Sequence, residues 1–140
     1  MKEYREITLQ AIPENAGLLT EFIEGELEKA GVPFGVVAKI DVAIDEIFAN
    51  IASYSYAPGT GDVTVRVGFQ SGPAAVEITF LDSGVAFDPL AKPDPDVTLS
   101  AEERSVGGLG IFLVKKIMDE TLYERVDGKN SLTIKKRLEE

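Results

Sequence analysis

Residues Pro33 to Tyr56, PFGVVAKIDVAIDEIFANIASYSY, decide how the rest of the chain folds. Ile40, Ile44, Ile47, Phe48 and Ile51 recur at the i, i+3, i+4, i+7 spacing of a buried helical face, so the stretch reads as one long helix against a core. At about 100° per residue, Glu46 and Asn50 fall one turn apart on a different face, with Val42, Ala43 and Ser53 beside them. A carboxylate stacked over a carboxamide among small and apolar neighbours suits the wall of a pocket. The plain alternative is the solvated stripe of an amphipathic helix, and this helix alone does not separate the two.

Working outward, Tyr4 to Gln10 alternates polar and apolar residues as a half-buried or edge strand does. Pro13 to Asn15 forms a helix entry, and Leu18, Leu19, Phe22, Ile23 and Leu27 make an apolar helical stripe that ends at Gly31. After the central helix, Ala57 to Gly61 is a loop. Val63, Val65, Val67 and Phe69 then keep a period of two, and Ser71-Gly72-Pro73 turns the chain into a second strand from Ala75 to Asp82, paired as a hairpin. From Asp88 to Val106 the pattern disappears into a proline-rich polar stretch, the kind of long loop that is usually functional or disordered. A helix follows from Leu109 to about Asp119. Two closing strands fit Leu122 to Val126 and Ser131 to Leu138, with a turn at Asp127-Gly128-Lys129-Asn130. There are no repeats and no linker. The order predicts a single α+β domain over residues 1–140, a two-layer sandwich whose mixed, mostly antiparallel sheet carries its helices on one face.

Composition narrows the function. The 140 residues include no cysteine and no histidine, which excludes disulfides, thiolate chemistry, Ser-His-Asp catalysis and histidine metal sites. No apolar run approaches the roughly 20 residues of a membrane span, and the amino terminus lacks a signal-peptide core, so a cytoplasmic location away from membranes is expected. With 24 acidic residues against 14 basic ones and a net charge of −10, the chain is no nucleic-acid surface. A basic protein partner suits it, as does simple solubility.

Two loops carry groups suited to a ligand. In Leu81-Asp82-Ser83-Gly84, an aspartate ends a buried strand, where it can accept a hydrogen bond from an amine-bearing ligand, and Gly84 allows close backbone approach. In Gly107-Gly108-Leu109-Gly110, glycines open a helix whose free N–H groups and dipole suit a phosphate. Each motif alone has a plain reading, a turn and a helix entry. Neither a P-loop nor a G-x-G-x-x-G fingerprint is present, since Leu113 takes the last required position.

Taken together, E-x-x-x-N on a helix, D-x-G after a strand, a proline-rich loop and G-G-L-G-I opening a helix resemble the Bergerat-type ATP-binding domain of gyrase, heat-shock chaperones, histidine kinases and MutL. The closest resemblance is to the bacterial anti-sigma-factor serine/threonine kinases. It covers essentially the whole chain and includes Phe87-Asp88-Pro89, Glu103-Arg104-Ser105 and Met118-Asp119-Glu120. The resemblance implies an ATP lid around 88–107 and the cofactors ATP and Mg²⁺. It implies that Asn50 coordinates the metal, that Glu46 is general base and that Asp82 receives the adenine amine beside Gly84. It further implies that Gly108 and Gly110 offer amides to the phosphates and that Arg104 lies near the terminal phosphate. For Arg104, a surface salt bridge to Glu102 or Glu103 is the plain alternative.

The implied function is phosphorylation of a serine on an anti-sigma antagonist protein, alternating with binding of a sigma factor, with homodimerisation plausible. The other reading is a non-catalytic module that regulates by stoichiometric binding. Three positions depart from the family pattern: Ala86 where glycine is common, and Tyr54 and Phe112 where histidine is frequent.

Overall fold

The structure, a computed structural model, describes residues 3–56, 58–91 and 108–139. Five strands form one sheet: β1 (Tyr4–Gln10), β2 (Asp62–Gln70), β3 (Ala75–Asp82), β4 (Glu120–Val126) and β5 (Lys129–Arg137). Their spatial order is β1-β2-β3-β5-β4, and all four pairings are antiparallel, so the expectation of a mostly antiparallel sheet holds without a parallel pair among the described residues. Three helices cover one face: α1 (Ala16–Lys29), α2 (Phe34–Asn50) and α3 (Gly108–Ile117).

Strand alternation sends Val63, Val65, Val67, Val76, Ile78, Phe80, Leu132 and Ile134 inward. They join Leu19, Ile23 and Leu27 of α1, Ile40, Ile44, Ile47 and Phe48 of α2, and Val114 of α3 in one core. Complete burial of an Ile or Phe side chain contributes about 1.5–3 kcal/mol, so the residues of α2 that set its period also hold the two layers together. The opposite sheet face is polar, with Thr8 and Thr64 hydroxyls 2.8 Å apart and Thr79 and Thr133 hydroxyls 2.9 Å apart. α3 is tied to β5 through Asp119, whose backbone N–H donates to the Lys135 carbonyl at 2.9 Å and whose carboxylate accepts the Arg137 N–H at 2.7 Å. That bond from Arg137, reinforced by the charges of Lys136 and Arg137, holds the Asp119 carboxyl below its ordinary range.

Two of the boundaries that differ from the sequence expectation matter for the site. The central helix does not run uniformly to Tyr56: after Asn50 it widens into a π-helical turn over Ile51–Ser55. With a step of five residues, Ser55 rather than Ser53 follows Asn50 on the inner side, and Ser53 is exposed. The last turn is also shorter than expected. Asp127 and Gly128 have φ of 52° and 76°, the two positive values of a two-residue hairpin, so β5 starts at Lys129 and Asn130 is a strand residue. Of the expected lid, Pro89–Ala91 form a short 3-10 turn, while residues 92–107, including Glu103, Arg104, Ser105 and Gly107, lie outside the described residues.

Where α1 meets α2, Asp41 lies close to Glu24 of α1 and to Asp45 one turn on. Burial, a hydrogen bond with Glu24 and repulsion from Glu24 and Asp45 push its carboxyl from 3.8 up to about 7, and its Oδ1 is buried with no hydrogen-bond partner. The shared bond with Glu24 requires a proton on one of the two groups. A pKa raised on folding means that the native chain binds this proton more tightly than the unfolded chain. The stability it contributes is present at pH below about 4 and is lost as pH rises towards 7. Denaturant melts from pH 4 to 8 should show this decline, and Asp41→Asn should flatten it and be more stable than the parent at pH 8. Identical pH dependence in both proteins would rule the pair out as its source.

Candidate functional site

The C-terminal end of α2, the start of α3 and the ends of β3 and β5 meet around one cavity. Ile47, Ile51, Phe80, Ile111 and Leu132 give it apolar walls, and Asn50, Ser55, Asp82 and Asn130 bring polar groups to it. Asp82, only 4% exposed, ends β3 on its inward face. Its Oδ1 accepts from the Gly84 N–H at 2.9 Å and from Asn130 Nδ2 at 3.0 Å. Among the described residues no hydrogen bond uses Oδ2, which leaves an acceptor for a ligand amine.

The loop after Asp82 is fixed at most of its backbone groups. The Ser83 N–H donates to the Tyr56 hydroxyl at 2.8 Å, and that hydroxyl donates to the Asp62 carbonyl at 2.6 Å, with burial pushing the phenol pKa up. Arg125 Nη1 donates to the Gly84 carbonyl at 2.9 Å, and the Val85 N–H donates to the Ser55 carbonyl at 2.9 Å. Asn130 takes the Val85 carbonyl at 2.8 Å through Nδ2 and the Phe87 N–H at 3.2 Å through Oδ1. Backbone groups of the loop are paired by the side chains of Arg125 on β4, Asn130 on β5 and Tyr56, and by the Ser55 carbonyl of the π turn.

Glycine at position 84 follows from the same packing. A Cβ there would lie 2.1 Å from the Ser55 carbonyl oxygen and 2.6 Å from its carbon, so the loop lies directly on the π turn. At Gly110, in the first turn of α3, a Cβ would lie 2.1 Å from Glu46 Oε2. The Glu46 carboxylate therefore rests over the N-terminal turn of α3, where the helix dipole favours negative charge. Asn50 stands one turn further along α2 at the cavity. Gly108 opens α3, and Arg104 lies outside the described residues. Of the seven residues singled out in the sequence, Glu46, Asn50, Asp82, Gly84, Gly108 and Gly110 thus come together at one end of the sheet.

The departures have local explanations. Ala86 is exposed, so its methyl does not crowd the cavity. The Tyr54 ring packs against that of Phe87 at 5.7 Å, and Lys116 Nζ lies 5.3 Å from the centre of the Phe112 ring. Sequence reasoning missed Asn130, Tyr123, Arg125 and Ser55. The Asp-Gly dipeptide signals a two-residue hairpin, and that reading would have placed Asn130 in phase with Leu132 and Ile134, a polar residue at an inward position.

The two glycines predict different penalties. In Gly84→Ala the new methyl meets backbone that cannot yield, and unfolding should show a loss of roughly 1–3 kcal/mol or more. In Gly110→Ala it meets the end of a flexible side chain, so stability should stay within about 1 kcal/mol while Glu46 is displaced. Equal losses in urea melts of the two variants would contradict this assignment.

A family model of the histidine kinase-like ATPase domain matches residues 9–136. Among curated proteins, the serine-protein kinase RsbW of Bacillus licheniformis is 31% identical over 126 residues, covering 84% of this chain and 76% of the relative. The serine-protein kinase RsbW of Bacillus subtilis is 26% identical over 134 residues, covering 90% and 81%. Among solved structures, the RsbU and RsbW domains of Rv1364c from Mycobacterium tuberculosis match 97% of this chain with a TM-score of 0.68 at 19% identity, a likeness of fold that spans 32% of that longer chain. The chain belongs to the histidine kinase-like ATPase domain family and, within it, to the anti-sigma-factor serine kinases.

Proposed function

We propose that this protein is an ATP-dependent serine/threonine protein kinase and anti-sigma regulatory factor, which transfers a phosphoryl group to a serine of an antagonist protein. The observation that carries the reading is that Asn50 and Asp82 line one cavity, beside which Glu46 rests on Gly110 in the N-terminal turn of α3. The relatives named as serine-protein kinases support the same activity.

The residues suit ATP and Mg²⁺. Asp82 Oδ2 offers the acceptor that an adenine amine needs, and the apolar walls suit the faces of a base. No cluster of three acidic ligands occurs among the described residues. That is compatible with Mg²⁺ held by the Asn50 carboxamide oxygen, phosphates and water, because this ion is commonly bound through few protein ligands. Bound ATP with Mg²⁺ would supply the transferable phosphoryl group and neutralise its charge. Glu46 would take the proton of the attacking serine hydroxyl, and α3 would direct its free N–H groups at the phosphates. The negative surface suits a basic protein partner.

One observation favours the rival reading of a non-catalytic interaction module. The cavity leaves room of only about 20 Å³ for a water-sized sphere, so it takes a water and not a purine. Entry of a base therefore requires the Phe87 side chain, which lines the cavity, to turn aside while its backbone stays bonded to Asn130.

Calorimetric titration with ATP, with and without Mg²⁺, separates the readings. The kinase reading expects Mg²⁺-assisted binding that Asn50→Ala weakens, and a loss of adenine selectivity in Asp82→Ala. Glu46→Gln should retain ATP binding while phosphotransfer to an antagonist protein falls about 100-fold or more, the usual scale for losing a general base. A folded wild-type protein that binds no ATP would leave the interaction module as the function.

A further inference from the structure

Asn130 is the most heavily bonded side chain around the cavity, and no part of the phosphotransfer reading uses it. It is 4% exposed and lies directly across the β3–β5 ladder from Asp82. Its Nδ2 donates to Asp82 Oδ1 at 3.0 Å and to the Val85 carbonyl at 2.8 Å, while its Oδ1 accepts from the Phe87 N–H at 3.2 Å and from the Tyr123 hydroxyl. An asparagine side chain has two donor hydrogens and two acceptor lone pairs, and all four are used.

The network also fixes which way the amide points. In the opposite orientation, its oxygen would face the Val85 carbonyl and the Asp82 carboxylate, and its NH₂ would face the Phe87 N–H. Both contacts would be repulsive. Tyr123, which lines the same cavity from β4, adds a hydroxyl donor at Oδ1.

We propose that Asn130, held by Tyr123, is a positioning residue that sets the base selectivity of the pocket. Its Nδ2, with the Gly84 N–H, saturates Asp82 Oδ1 and so leaves Oδ2 to face the cavity as an acceptor. Such a group selects a base edge that presents an amine and repels one that presents a carbonyl oxygen. Because its own hydrogen-bonding capacity is filled, Asn130 acts through Asp82 and not by touching the ligand. The inference rests on the proposed ATP site and assigns its discrimination between adenine and guanine to residues on β4 and β5.

The test is calorimetric titration of wild type, Asn130→Asp and Tyr123→Phe with ATP, GTP and inorganic tripolyphosphate, with thermal melts to confirm folding. Asn130→Asp keeps the shape and replaces both donor hydrogens with acceptor character. The ratio of ATP to GTP affinity should fall by about tenfold or more, the scale of one hydrogen bond to a charged group. Tyr123→Phe removes one support and should lower the ratio by a smaller factor in a protein that folds like the parent. Tripolyphosphate affinity should stay unchanged in both, which a general loss of structure would not allow. Folded variants that discriminate as well as the wild type would overturn the positioning role alone, and Tyr123→Phe decides the point if Asn130→Asp does not fold. A wild-type protein that binds neither nucleotide would overturn the ATP site itself, and the positioning role with it.

Discussion

A carboxylate buried at the end of a central strand is the constraint to which this end of the molecule answers. Removing a charge from water is costly unless hydrogen bonds replace its solvation, and Asp82 has two such bonds on one oxygen. One comes from the loop that follows it and the other from the facing strand. Satisfying Asp82 therefore fixes the backbone of residues 83–87, because the same Asn130 that donates to the carboxylate also holds Val85 and Phe87. Ser55 and Gly84 complete the arrangement from the helical layer, where the π turn brings a carbonyl close enough to exclude any side chain at position 84. Sheet and helices are thus joined at the cavity by polar bonds, in addition to the apolar core beneath.

The fold was legible where local periodicity reports burial. The isoleucines of α2 and the alternating valines of β2 are determined by which face meets the core, and that information lies within a few neighbouring residues. Glu46, Asn50, Asp82 and the glycines were legible as a set because their order and spacing are distinctive. The supports around Asp82 were not, for a physical reason. Asn130 stands 48 residues from Asp82, and Arg125 stands 41 from Gly84. Their partnership exists only once β5 inserts beside β3; the Asp-Gly turn places Asn130 inward but names no partner for it. The π turn failed differently: residues 51–55 carry no proline or glycine, and a uniform helical step projects the wrong serine inward.

The two glycines also show why a motif glycine does not have a single meaning. Gly84 was read as making room for a ligand, and its immediate neighbour is the protein's own backbone at Ser55. Gly110 was read as offering its amide to the phosphates, and its neighbour is the Glu46 carboxylate. The first contact is between rigid segments and belongs to the architecture. The second is between a helix terminus and the end of a movable side chain, so it can change without disturbing the core.

That difference divides the site into a fixed half and an adjustable half. On the proposed reading, the base-facing groups are Asp82 and the side chains that brace it, a hydrogen-bonded frame that can discriminate between ligands because mismatched polar groups there cannot relax. Glu46 rests against the positive end of α3, the position that an anionic phosphate also favours. On the same reading, a phosphate bound there would compete with Glu46 for the same partial charge and free the carboxylate for a hydroxyl. On the proposed reading, the group that must accept the proton is displaced from the helix by the substrate it serves, and the order of events follows from two negative charges that cannot share one helix terminus.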